Sequence, residues 1–333
     1  MTSKHPLAGT PVLVTGAAGF IGAQLCGRLV EYGARVRGFT RYNSRNDRGA
    51  LDWLDPALAR EVEVVAGDIR DVESVARAID GTAITFHLAA QIAIPYSYVN
   101  PRDFFETNVL GTFNVAESAR AAGVRRVIQV STSEVYGSAR VVPIDEHHPL
   151  EPQSPYAASK VAADKLMDAY HRSYELPMTI VRPFNTYGPF QSARAIVPTI
   201  ITQALAGDRL RLGSLDPRRD LTFVADTVEG FIAAAASDAA NGTTLQLGTG
   251  SAVSIGELVE LVAGIVGREL HVDHDEVRVR PKNSEVMHLI SNPQRALELT
   301  GWSPRVSLED GLARTIEWIG ANKDRYRTGD YVI

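Results

Sequence analysis

The chain has 333 residues, of which 45% are hydrophobic, with a formal net charge of −5 and one cysteine, Cys26. That length and apolar content can fill one large core or two unequal ones. The acidic balance excludes a global basic field for nucleic acid or an anionic membrane, and a lone cysteine excludes an internal disulfide. Apolar stretches such as 230–236 fall short of the roughly 20 residues that span a bilayer. The N-terminus lacks an apolar signal core, so a soluble, cytoplasmic chain is expected.

The first strand pattern, Pro11 to Val14, runs into Thr15-Gly16-Ala17-Ala18-Gly19-Phe20-Ile21-Gly22 and then a helical period. Strand, glycine turn and helix in this order suit a dinucleotide. Gly16 serves a tight turn, Gly19 lets backbone approach a pyrophosphate, and Gly22 lets helix and strand pack closely. Phe20 and Ile21 open the helix, whose N–H groups and dipole favour phosphate. Further strands are expected at 34–39, 62–66, 84–88, 126–130 and 178–181. Helices alternate with them at 21–32, 72–79, 101–122 and 155–174. This alternation predicts an α/β fold, a Rossmann doubly wound parallel sheet over 7–182, to which segments around 220–250 return. Helical pieces at 196–206, 226–236, 254–266 and 308–319, separated by loops at 207–220 and 271–285, predict a smaller C-terminal substrate-binding lobe over 183–325. The segments 108–121 and 155–174, long and rich in small apolar residues, are read as partly covered by a second copy in a homodimer.

An acid at the end of the second strand normally holds the adenine ribose hydroxyls of NAD. Here the strand ends in Thr40-Arg41-Tyr42-Asn43-Ser44-Arg45, with no carboxylate before Asp47. Arg41, with Ser44 or Arg45, would instead hold a 2′-phosphate; the alternative is that these are solvated loop charges and Asn43 and backbone hold the ribose. NAD(P) is therefore expected, NADP slightly ahead of NAD, tightly bound and recycled. Asp68 and Ile69 would sit near the adenine, and Leu88, Ala89 and Ala90 near the nicotinamide ribose.

Tyr156 and Lys160 stand one helical turn apart, on one face, so an ammonium can approach the phenol, lower its pKa and serve a cofactor ribose together. Ser131 and Thr132 end a strand between the glycine turn and this pair.

The strings TGAAGFIG at 15–22, HLAA at 87–90, STSEVYG at 131–137, SPYAASK at 154–160, RPFNTYGP at 182–189 and the Arg219-Asp220 region resemble the extended short-chain dehydrogenase/reductases that act on nucleotide sugars, the epimerase/dehydratase family. The resemblance implies that Thr132 hydrogen-bonds the sugar 4-hydroxyl, that Tyr156 takes its proton with Lys160 beside it, and that hydride leaves C4. Glu134 is the informative residue. In this family a glutamate here is typical of 4,6-dehydratases and glycuronate decarboxylases, whereas 4-epimerases commonly carry a small residue or threonine. A C4 ketone acidifies the C5 proton, which a carboxylate removes as the 6-hydroxyl leaves as water. Hydride then returns to C6. Ser133-Glu134 looks closer to the GDP-mannose type than an Asp-Glu pair would. Together with 94–97, 191–196 and 280–286 it is most similar to bacterial GDP-N-acetylglucosamine 4,6-dehydratases of legionaminic acid biosynthesis. UDP-glucuronate decarboxylase and 4-epimerase remain the alternatives, sharing the C4 oxidation.

A nucleotide diphosphate needs cations and polar groups from the closing lobe: Ser133, Asn185, Arg194, Arg219 and Arg280 are the candidates, Arg280 equally suiting a salt bridge with Glu276 or Glu285. No metal is expected. His147 and His148 are adjacent and cannot share a helix face, and the cluster 273–276 has no role in this chemistry.

Overall fold

The structure is a computed structural model that describes residues 5–278, 284 and 286–326. Its first half runs β1 (Pro11–Thr15), α1 (Phe20–Glu31), β2 (Arg35–Arg41), α2 (Pro56–Arg60), β3 (Val62–Gly67), α3 (Val72–Ile79), β4 (Ile84–His87), α4 (Ile94–Val99), α5 (Pro101–Phe104), α6 (Gly111–Ala122), β5 (Arg126–Val130), α7 (Pro155–Tyr174) and β6 (Met178–Pro183). The second half runs β7 (Asn185–Tyr187), α8 (Ile196–Ala206), β8 (Arg209–Leu212), β9 (Arg218–Arg219), β10 (Leu221–Phe223), α9 (Val224–Ala236), β11 (Thr243–Leu247), β12 (Val253–Ser254), α10 (Ile255–Val266), β13 (His271–His274), β14 (His288–Leu289), α11 (Gln294–Thr300) and α12 (Leu308–Ala321).

Alternate side chains of a strand face opposite sides of its sheet. In β1, Val12 and Val14 enter a core shared with α1, α9 and the later helices. Leu13 enters a second core with residues of α3, α6 and α7. Both faces are therefore covered, and the strands read as near-continuous apolar runs, as a parallel sheet requires. Seven parallel strands lie in the order β11-β6-β5-β4-β1-β2-β3. The chain winds one way from β1 to β3 and the other way from β4 onward, so a crevice opens beyond the carboxyl ends of β1 and β4.

Helix boundaries follow local chemistry. Ser154 Oγ accepts the Ala157 N–H at 3.1 Å and Pro155 occupies the first turn, which starts α7 just before Tyr156. The helix expected over 101–122 is interrupted: a π-helical turn at Phe105–Leu110 joins α5 to α6. The loops expected at 207–220 and 271–285 contain short strands, with β13 parallel to β8 in the register His271 to Arg209. β11 adds to the edge of the main sheet beside β6, in the register Thr243 to Thr179. Among the described residues no helix is long and apolar enough to cross a membrane.

Candidate active site

A cleft of about 590 Å³ lies at that switch point, lined by Gly16, Gly19, Phe20, Ile21, Gly22, Arg41, Asp68, Ile69, Leu88, Ala89, Ala90, Ser131, Thr132, Ser133, Glu134, Tyr156, Lys160 and Asn185. Segments far apart in the chain thus converge on one wall.

The floor is the glycine turn. Gly16 sits at φ +72°, and a Cβ there would come within 2.8 Å of the Ala89 nitrogen. Only glycine allows the loops after β1 and β4 to approach this closely. Thr15 then organises the second loop. Its Oγ1 accepts the Leu88 and Ala89 N–H groups, both at 3.1 Å. The same hydroxyl lies 2.8 Å from His87 Nδ1, while His87 Nε2 lies 3.1 Å from Thr112 Oγ1. Thr112 spends its proton on the Asn108 carbonyl at 2.6 Å. His87 must therefore donate through Nε2 and accept from Thr15 at Nδ1, which fixes the neutral tautomer. Burial, and then the Lys160 charge, push the His87 pKa down to about 3.

At one end of the cleft, Arg41 closes β2 on the wall, exposed. Asp68 is engaged by Arg70, through Nη2 to Oδ2 at 2.7 Å and Nε to Oδ1 at 3.0 Å. That hydrogen bonding holds the Asp68 carboxyl below its usual range, and the Arg41 charge adds to it.

At the other end, α7 delivers Tyr156 and Lys160, both buried. Lys160 Nζ donates to the Val130 carbonyl at 2.7 Å. Burial lowers the ammonium's pKa to about 8, against the pull of Asp164 in the other direction. The Tyr156 phenol departs from the expectation that the lysine lowers it: burial pushes it up, a hydrogen bond with Thr132 pulls it back, and the charges of Glu134 and Asp164 push it further up. The reason is geometric. The phenol is packed among Phe104 and Ile94, while the ammonium is committed to the end of β5.

Thr132, two residues past β5, is extended and caps a single 3-10 turn, Ser133–Tyr136, its hydroxyl accepting the Glu134 N–H at 3.2 Å. Ser133 is buried and Glu134 half-buried in this turn, so the carboxylate shares the wall with Thr132 and Tyr156. The arrangement provides a hydroxyl donor, a phenol with an ammonium behind it, and one carboxylate around a common space. Asn185 Oδ1, at the start of β7, is buried with no hydrogen-bond partner among the described residues. A glycine cradle open to backbone approach and an unsatisfied amide oxygen fit a dinucleotide and a polar substrate.

Other candidates stand elsewhere. Ser44 lies in an exposed turn off the cleft wall, and its neighbour Arg45 is exposed 4.0 Å from Asp47. Arg194 is exposed just before α8, also off the wall. Arg219 is buried in β9, its Nη1 donating to the Arg218 carbonyl at 3.1 Å, and does not line the cleft. Arg280 lies outside the described residues. Sequence reasoning overlooked Arg70, Gln91 and Thr107 on the wall, and it singled out the 191–196 string without giving Gln191, also on the wall, a role. Gln91 directly follows the 87–90 string and was accessible by extension; Arg70 and Thr107 carry no local pattern. Among the described residues no group of three or more potential metal ligands occurs.

Comparison with known proteins agrees with this geometry. Residues 13–315 match the family described as GDP-mannose 4,6 dehydratase. A UDP-glucose 4-epimerase of Mycolicibacterium smegmatis is 36% identical over 92% of this chain and 97% of its own length. A dTDP-glucose 4,6-dehydratase of the same organism is 32% identical, covering 95% of each chain. Among solved structures, a double mutant of DesIV, a dTDP-glucose 4,6-dehydratase from Streptomyces venezuelae with NAD bound, superposes with a TM-score of 0.83 at 31% identity, over 95% of this chain and 98% of that one. With the fold, the cleft and these relatives in agreement, the chain belongs to the nucleotide-sugar epimerase/dehydratase family of short-chain dehydrogenase/reductases.

Proposed function

We propose that this protein is a lyase, a nucleotide-diphospho-sugar 4,6-dehydratase that forms a 4-keto-6-deoxy sugar nucleotide. The observation that carries the reading is the placement of Glu134 on one wall with Thr132 and Tyr156, near enough for its charge to act on the phenol. A bound dinucleotide supplies the hydride acceptor at C4 and the donor at C6. Thr132 orients the sugar 4-hydroxyl and Tyr156 removes its proton. Lys160, charged below about pH 8, would hold the cofactor ribose, while the Thr132 hydrogen bond is what favours the phenolate. Once C4 is a ketone, the C5 proton is acidic; Glu134 removes it and passes a proton to the departing 6-hydroxyl, which leaves as water, and as hydride returns to C6 the C5 carbanion takes a proton that exchanges with solvent. Ser133 and Asn185 are the substrate contacts on the wall, and the lobe after residue 183 supplies the nucleotide pocket.

The related dehydratase structure with NAD supports NAD as cofactor. Arg41 on the wall keeps 2′-phosphate recognition, and so NADP, as the finer reading. A GDP-N-acetylhexosamine is the substrate to test first, with UDP- and dTDP-hexoses beside it. We further propose that the enzyme acts in the cytoplasm as a homodimer through the helices at 108–121 and 155–174. Leu110 and Phe113 are exposed there, with Phe105 exposed just before them, and Leu110→Glu should give a monomer by sedimentation.

The second reading is a 4-epimerase, favoured by the 36% identity to the M. smegmatis enzyme. Incubation with these sugar nucleotides in deuterated water separates them. Dehydration puts solvent deuterium at C5 with loss of one water by mass, epimerisation does neither, and decarboxylation, tested with UDP-glucuronate added to the set, releases carbon dioxide. An epimeric product without deuterium would overturn the proposal.

A further inference from the structure

Behind the cleft lies a buried polar chain that no step above uses. Arg182 on β6 is 4% exposed, and its guanidinium works in two directions. Nε and Nη2 donate to Asp164 Oδ2 at 3.1 and 3.0 Å. Nη1 donates to the Tyr136 hydroxyl at 2.9 Å, and Cζ lies 5.1 Å from the centroid of the Tyr136 ring. Asp164 is one turn beyond Lys160 on α7, and its Oδ2 also accepts the Ser131 hydroxyl at 2.8 Å. Tyr136 is fully buried two residues after Glu134, at the end of the same 3-10 turn. Gln246 Nε2 on β11 donates to its hydroxyl at 2.7 Å.

The two ends of this arginine therefore grip the two halves of the chemistry. One end holds the helix that carries the proton acceptor and its ammonium; the other holds the turn that carries the carboxylate. We infer that Arg182 is a positioning residue that sets the spacing between the Glu134 turn and the Tyr156–Lys160 helix. A planar fork with five fixed donors can span both acceptors, whereas a lysine in its place keeps the charge but serves only one. The Asp164 contact takes two donors and compensates a buried carboxylate, so a lysine would go there and release Tyr136. Which chemical step then suffers rests on the dehydratase reading.

The test uses Arg182→Lys and Tyr136→Phe in the full-length holoenzyme. Neither side chain lines the cleft, and Tyr136→Phe keeps the buried ring, so it reports even where the lysine variant folds poorly. Single-turnover mixing with the accepted sugar nucleotide reads C4 oxidation as nicotinamide reduction, and C5 deuterium uptake reads the Glu134 step. Both variants should oxidise C4 at the wild-type rate, yet lose about 10²-fold in the C5 step, the cost of misplacing a reacting group by about 1 Å. The double variant should be no slower than the worse single one, because both break the same strut. Equal loss of both steps, unchanged C5 exchange, or additive losses would overturn the inference. A wild-type enzyme that reduces its cofactor but never exchanges C5 would defeat the dehydratase reading alone. In that case crystal structures of wild type and Tyr136→Phe decide: a displaced Glu134 turn supports the strut, and an unmoved one ends it.

Discussion

Replacing Glu134 by glutamine removes one negative charge and almost no volume. The turn itself should survive, because its cap is the backbone Glu134 N–H on Thr132 Oγ1 and involves no carboxylate. The chemical effect is asymmetric. A positioned acid–base group contributes about 10²–10⁴-fold, roughly 3–5 kcal/mol of barrier, and dehydration should fall by that factor. Oxidation at C4 should persist, because Thr132, Tyr156 and Lys160 are untouched. It should even become easier in one respect, since the Glu134 charge is among the influences pushing the Tyr156 phenol up. Mixing Glu134→Gln with the accepted sugar nucleotide should therefore accumulate reduced nicotinamide, seen by its near-ultraviolet absorbance, with little loss of water by mass. Full turnover would remove Glu134 from the mechanism. Simultaneous loss of reduction and dehydration would show that it serves binding or C4 oxidation instead.

Gly22→Ala places a Cβ against the Gly16 carbonyl oxygen, with Gly16 C at 2.9 Å and Ala17 Cα at 3.0 Å, all of them backbone. Overpacking of this kind costs about 1–3 kcal/mol, so where the cradle must distort to bind, dinucleotide affinity by calorimetry should drop about 5- to 150-fold; unchanged affinity would discredit the cradle. Arg41→Ala should weaken NADP by about 1.5–3 kcal/mol, the worth of a hydrogen bond to a charged group, and leave NAD unaffected. Equal effects on the two would assign Arg41 to the solvent. His87, pushed down to about 3 from an ordinary 6.5, stays neutral while the unfolded chain takes up a proton. Stability should therefore decline as pH falls below about 6.5, by up to about 1.4 kcal/mol per unit. Urea unfolding at neutral and mildly acid pH should show a shallower decline for His87→Gln, and identical slopes would contradict the tautomer argument.

Much of the site was legible because its chemistry sits in short strings. The glycine turn announces itself through a backbone requirement at Gly16 and Gly22, and Tyr156 with Lys160 through helical spacing behind the Ser154 cap. Polar residues of the second lobe were harder. Arg194 and Arg219 have suitable side chains for a diphosphate, but one is exposed before α8 and the other is buried in β9, neither on the cleft wall. Arg70 and Thr107 reach that wall without any motif to flag them. The rising pKa of Tyr156 was equally hidden, because spacing to Lys160 says nothing of how deeply the ring is packed or where the ammonium points.

The sequence by itself determined the alternation of strand and helix, the parallel sheet and the glycine turn, since each is dictated by residues within a few positions of one another. Tertiary structure alone decided that the segment returning from 220–250 takes the edge beside β6, that β13 pairs with β8, and that Arg182 ties Asp164 to Tyr136. These contacts join segments tens of residues apart, and their energies come from burial and fixed geometry, which no local pattern of residues encodes.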